Sequence, residues 1–172
     1  MKFSFLFRLP SQGRMEIFDW LGRTVCEIFI VEEKGYFVLP AKKVYWEGAK
    51  EDALERLLGF QLSLEEMAHL LGGGWSEPEG AKTRGWIFKR DAQGRIVSGR
   101  KEEFRFEVKG VFPGSFIPRH IAFQGDESEG HLKVLSLKFN PSPKEGVFLL
   151  DFLERFTPAS WEEIEKLLGN EN

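Results

Sequence analysis

One cysteine, Cys26, in 172 residues excludes an internal disulfide framework and any cysteine-rich metal site. It lies within an apolar run, where a buried and inert thiol is the default. The only histidines are His69, His120 and His131, far apart and without metal-ligand spacing such as H-x-x-x-H. Neither sign of charge dominates: 24 basic against 27 acidic side chains argue against a nucleic-acid binder. A single-strand binder would set aromatics among excess Lys and Arg, whereas here acidic residues are mixed throughout. No run of about 18 apolar residues is present to span a membrane. There is no G-x-S-x-G nucleophile turn, and Gly72-Gly73-Gly74 follows a helical pattern instead of preceding one, the wrong order for a phosphate cradle. The Glu65-Glu66 and Glu102-Glu103 pairs read as a helix cap and a solvated strand start. No pocket is signalled that would shift a general acid. An enzyme is the weaker hypothesis, and neither cofactor nor metal is expected.

Phe, by contrast, is abundant: 17 residues, with five Trp and only two Tyr. So much Phe suits a wide apolar interior or cavity, and would equally serve a plain β core. Phe3, Phe5, Phe7 and Leu9 alternate with Ser4, Leu6 and Arg8, a strand with one strongly apolar face. After the turn at Pro10 to Gly13, Met15 and Ile17 line one face of a second strand. Cys26, Ile28 and Ile30 alternate with Val25, Glu27 and Phe29 in a third. Residues 36–39 and 43–46 complete a meander of about five strands, antiparallel because the connections are too short for crossovers.

Between the second and third strands stands the tip Asp19-Trp20-Leu21-Gly22-Arg23, where Gly22 can supply a positive φ. Tips between paired strands face water and are usually polar. Trp20 and Leu21 are not. Either they fold back onto the sheet, or they form an apolar finger held out for a greasy partner.

Residues 50–58 then place Leu54, Leu57 and Leu58 at helical spacing, and Gly59 stops that helix. Ser63 with Glu66 forms a capping box for a second helix, whose stripe is Leu64, Met67, Leu70 and Leu71. These helices either cap a β core or form a lid over a cavity with adaptable Leu and Met lining. Residues 76–83 read as loop. A second run of strands follows at 85–90, 95–98 and 102–112, with Phe104, Phe106, Val108 and Phe112 on one face and Glu103, Arg105, Glu107 and Lys109 on the other. Residues 116–124 and 132–139 are the next two strands, with Pro118 marking an edge or bulge. Residues 147–152 are assigned a last strand, and 161–168 a short helix. No repeat or linker divides the chain, so one domain is expected.

The order of these pieces resembles the LolA/LolB superfamily of bacterial lipoprotein carriers and receptors, and the outer-membrane receptor LolB most. The matching stretches are RMEIFDWLGRTVCEIFI, the helix pair AKEDALERLLGFQLSLEEMAHLLGG, and the strand series FRFEVKG, FIPRHIAF and LKVLSLKFN. The resemblance implies a mainly β fold with a few α-helices: an antiparallel unclosed β-barrel, a half-barrel with a short helical lid over an apolar cavity. It implies no catalysis and no cofactor. The cargo would be acylated lipoproteins, accepted by their acyl chains and delivered to the outer membrane after passing from a LolA-like periplasmic carrier. Such a protein sits on the periplasmic side of the outer membrane, anchored there by a lipidated cysteine. No such cysteine or signal peptide stands near Met1, and the family's N-terminal helix and first strand have no counterpart here. The family's exposed loop leucine matches Leu21; Trp20 beside it is not part of the family pattern. The cavity would be lined by Leu54, Leu57, Leu58, Met67, Leu70, Leu71, Phe104, Phe106 and Val108. Two other readings stand beside it: a periplasmic carrier of another lipid or apolar ligand, and a scaffold whose greasy face is only a core.

Overall fold

A computed structural model describes residues 2–74, 85–125 and 128–169. Over these residues the protein is mainly β with three α-helices, and the strands form two open sheets, neither of which closes on itself. The chain divides into two compact units: Met1–Leu54 with Ser142–Asn172, and Glu55–Pro141. The expected loop at residues 76–83 lies outside the described residues.

In the first unit, β1 (Lys2–Arg8), β2 (Gln12–Phe18), β3 (Thr24–Val31), β4 (Lys34–Leu39) and β5 (Val44–Ala49) form the expected antiparallel meander. The pairing has one exception to antiparallel order. Far along the chain, the two-residue strand β11 (Thr157–Pro158) adds to β5 in parallel. Register aligns Phe5, Met15, Ile28, Phe37 and Trp46 across one face. Met15, Ile28 and Phe37 are buried there, and so are Ile17, Cys26 and Ile30. Trp161, at the start of α3 (Trp161–Gly169), sets its ring edge-on to Phe37 and Trp46 at 5.2 and 5.7 Å. That helix opens with a reciprocal cap: Ser160 N–H donates to the Glu163 carboxylate, and Glu163 N–H to Ser160 Oγ.

The opposite face of β3 is not left wet. Phe29 and Val38 are buried beneath Leu150, Phe152, Leu153 and Phe156. Hence no position of β3 is exposed and Cys26, Ile28, Phe29 and Ile30 are buried from both faces, the signature of a strand covered on both sides. Residues 147–152 do not form the expected strand. Successive i→i+3 bonds, among them Leu149 N–H to Gly146 O and Leu153 N–H to Leu150 O, wind this stretch into turns and a 3-10 helix, Asp151–Arg155. The apolar side chains at three-residue spacing are what pack on Phe29.

Gly35 in β4 marks a close approach of helix to sheet. A Cβ there would lie 2.4 Å from Ala53 Cβ, in α1 (Lys50–Leu58), and 3.0 Å from the Ala49 carbonyl oxygen, at the end of β5. Neither obstacle is a flexible side-chain end, so Gly35→Ala is expected to destabilise by about 1–3 kcal/mol. Urea titration of the two proteins checks this; an unchanged midpoint would refute the close contact.

The second unit holds α2 (Leu64–Gly72) and the antiparallel sheet β6 (Ile87–Arg90), β7 (Ile96–Lys101), β8 (Phe104–Val111), β9 (Pro118–Gln124) and β10 (Glu129–Lys133), in order β10-β9-β8-β7-β6. Ser63 caps α2 with Glu66 as expected, and Gly73 ends it with φ +68°. Along β8, Phe104 and Phe106 are buried while Arg105 and Glu107 are exposed. Two register shifts around Gly110 then break the alternation, so Phe112 does not continue the Phe104–Phe106 face. The strand expected over 132–139 starts earlier and ends at Lys133. Val134 N–H still reaches the Arg119 carbonyl, but the next ladder bonds would fall at Ile117. Both polar groups of Ile117 are already used in the turn, its N–H by Ser115 Oγ and its carbonyl by Phe112 N–H.

Candidate functional site

The tip between β2 and β3 is built around one carboxylate. Asp19 Oδ1 accepts from the Leu21 and Arg23 backbone N–H groups at 2.8 and 2.9 Å, and Oδ2 from Arg23 Nε at 2.7 Å. Asp19 N–H closes on the Arg23 carbonyl, Gly22 N–H on the Asp19 carbonyl, and Gly22 takes φ +80°. These bonds, that from Arg23 N–H foremost, hold the Asp19 carboxyl below its ordinary 3.8. Trp20 and Leu21 take no part in this network through their side chains. They stand 89% and 55% exposed.

The second unit contains the same turn. Asp91 Oδ1 accepts from the Gln93 and Arg95 N–H groups, Oδ2 accepts from Arg95 Nε, Asp91 N–H closes on Arg95 O, and Gly94 takes φ +78°. Both sequences read D-x-x-G-R, but the middle pair is Ala92-Gln93 in one and Trp20-Leu21 in the other. A turn of this design therefore accepts small and polar residues at those two positions. Its folding does not call for Trp20 and Leu21.

Of the residues predicted to line a cavity, Leu54 belongs to the first unit and the other eight to the second. Leu54, Met67, Leu70, Leu71, Phe104 and Phe106 are buried; Leu57, Leu58 and Val108 are half-buried. Phe104 and Phe106 sit in an aromatic group: Phe60 lies 4.2 Å from Phe104, and the Trp86 ring meets Phe104 and Phe106 at 5.9 and 5.7 Å. One buried acid ties α2 to this group. Glu66 accepts from Trp86 Nε1 at 2.7 Å, from Lys101 Nζ at 2.8 Å and from the Ser63 N–H at 2.8 Å. Burial, the largest single influence, pushes its carboxyl up. The three donors together outweigh that and leave it below 4.5.

A cavity of about 270 Å³ lies in the first unit, between the second face of the sheet and the 146–156 segment. Phe29, Val147, Leu149, Phe152 and Phe156 make its apolar walls, and Arg14 and Glu27 its polar end. None of the predicted lining residues borders it. The Arg14 guanidinium stacks 5.1 Å above Phe29 and bonds Glu16 at 2.8 Å and Glu27 at 3.4 Å. Its Nε is buried without a partner. Burial raises the Glu27 carboxyl above 4.5, against the pull of Arg14 and with the help of Glu16. The signal for this site was Phe29, an apolar residue in phase with Glu27 instead of with Ile28.

Cys26 is buried, and burial pushes its thiol far above the ordinary range, so it is no nucleophile. Among the described residues, no group of three or more His, Cys, Asp or Glu could hold a metal, and no helix is long and apolar enough to cross a membrane. No protein-family model and no curated protein matches the chain.

Proposed function

We propose that the protein binds the acyl chains of lipoproteins in an apolar cavity and delivers them to the outer membrane from its periplasmic side, without catalysis. In that reading the strands form an unclosed half-barrel and the two central helices its lid. A periplasmic carrier of the LolA kind hands over the cargo, and Trp20 with Leu21 touches the bilayer or the incoming chain. The observation that supports it is the pair of twin turns. Asp91-Ala92-Gln93-Gly94-Arg95 makes the turn with a small and a polar residue; the Asp19 turn spends two large apolar side chains on solvent. Exposed apolar surface that the fold does not require is what a membrane-touching element needs. Each acyl methylene withdrawn from water is worth about 0.8 kcal/mol, so even partial enclosure of a chain offsets its ordering.

The twin turn also supplies the test. Trp20→Ala with Leu21→Gln copies the polar tip into the apolar one. Stability should stay within about 0.5 kcal/mol, as for surface changes. Transfer of an acylated lipoprotein to membranes should be largely lost, in this variant and in Leu21→Glu. Unimpaired transfer by both variants would end the role given to the tip.

A second reading, a carrier for a smaller apolar ligand, is favoured by the cavity beside Phe29. Its 270 Å³ falls just under the roughly 300–1,000 Å³ of small-molecule sites. Mass spectrometry of whatever the purified protein releases on denaturation separates the two, acyl chains in one case and a compact molecule in the other.

A further inference from the structure

The outer face of the five-stranded sheet carries a charge opposite to that of the whole chain. Register places Lys89, Arg100, Arg105, Lys109 and Lys133 on this face, the side away from Phe104 and Phe106. Among the described residues of the paired strands, only two carboxylates, Glu107 and Glu129, share it, within a protein whose net charge is −3. Glu107 is occupied by Lys109. Lys89, Arg100, Arg105 and Lys133 are exposed, and none makes an ion pair or side-chain hydrogen bond among the described residues.

Arg100 and Arg105 are direct cross-strand partners. Opposed residues in an antiparallel pair bring their Cβ atoms to roughly 5 Å, where like charges repel. Nothing in the ladder requires arginine at either position, and among the described residues no acid pairs with either guanidinium. Two adjacent guanidinium forks are the arrangement that grips phosphate oxygens in pairs. The same register row ends at Ile87, which is 63% exposed, so an apolar side chain flanks the arginines.

We propose that this sheet face docks on an anionic phospholipid surface, with Arg100 and Arg105 taking the headgroup phosphates and Ile87 entering the interface beside them. The choice of a bilayer as occupant rests on the lipid-handling reading above. It is favoured over a nucleic acid because the chain as a whole is acidic and the cationic patch is bordered by an aliphatic side chain.

The experiment is flotation of the full chain with phosphatidylcholine vesicles, with and without phosphatidylglycerol, over a range of salt. Binding should rise with phosphatidylglycerol and fall with salt. Arg100→Gln with Arg105→Gln should weaken binding to the anionic vesicles about thirty-fold, from roughly 1 kcal/mol per basic side chain near such a surface. Binding to neutral vesicles should not change. A control, Lys144→Gln with Lys166→Gln, removes equal charge from exposed sites of the first unit and should have little effect. Equal weakening by the control, or competition by an RNA oligonucleotide that displaces the vesicles, would overturn the proposal. Uptake of a fluorescent acyl probe in the absence of vesicles reports separately on lipid handling. If the probe is taken up while anionic vesicles are ignored, the docking face fails alone. If the vesicles are bound without probe uptake, the acyl-chain reading fails alone.

Discussion

Replacing Glu66 by alanine is expected to destabilise the second unit by about 3–5 kcal/mol, the cost of removing one partner from a buried ion pair. Three donors lose their acceptor at once: the Trp86 indole, the Lys101 ammonium and the Ser63 N–H that opens α2. The indole is buried and has no water to turn to, and an unmet donor of that kind costs about 1–3 kcal/mol by itself. Glu66→Gln should fall between, since an amide oxygen can still accept from Trp86 and Ser63 but leaves Lys101 without its counter-charge. Acid supplies an independent check. A carboxyl held below 4.5 in the folded chain stabilises it fully above that value and loses the contribution as pH falls through the folded value. The wild type should therefore weaken in acid along this segment of the curve more than Glu66→Ala does, and the gap between them should narrow. Urea unfolding followed by tryptophan fluorescence over a pH series measures both. A gap that stays constant well below 4.5 would mean that Glu66 is not ionised against Lys101.

The role of Glu66 as a cap was legible from Ser63 alone, because a capping box is a contact within four residues. Its second role was not. The strand after Arg95 reads as ending at Ser98, which hides the fact that Lys101 shares a sheet face with Phe104 and Phe106 once β7 runs to its end. A lysine on that face needs a buried acid, and Glu66 is 35 residues away in sequence. Residues 147–152 show the opposite difficulty. The short apolar run at residues 147–150 has no period to read, so strand and 3-10 turn look alike until the Phe29 surface it must cover is known. The five strands of the first meander and α2 were readable because each rests on alternation or caps inside a single window. The tip was readable as anomalous, since Trp20 and Leu21 break the rule for turns; which way they point depends on packing that no local pattern carries. A half-barrel and lid are statements about how distant elements close together, and the two open sheets are as far as the pairing itself goes.

Removing the Arg14 charge should produce the reverse pH behaviour. Glu16 and Glu27 are register partners on adjacent strands, and Arg14 bonds both. In Arg14→Met the methionine can cover Phe29 much as the guanidinium does, but two carboxylates then face each other across the ladder. Both are partly buried, so a loss of about 2–3 kcal/mol at neutral pH is expected. Glu27 already has its carboxyl raised above 4.5 by burial. A group whose folded value lies above its unfolded value opposes folding once it ionises, and the penalty is relieved as pH falls through the folded value. Without Arg14 that value rises further. Over that window the Glu27 contribution should make Arg14→Met gain stability on acidification relative to the wild type, where Glu66→Ala merely loses less than the wild type. Glu27→Gln in the same background should restore much of the loss at neutral pH by removing the repulsion outright. A double variant no more stable than Arg14→Met would place the cost elsewhere, in the stacking on Phe29 or in the 3.4 Å bond that Arg14 Nη1 donates to the Val147 carbonyl oxygen. A rescued variant would also separate the two uses of the cavity's polar end. If ligand release persists after Arg14 and Glu27 have both lost their charge, these residues serve the sheet; if it stops in a protein of restored stability, they serve the ligand.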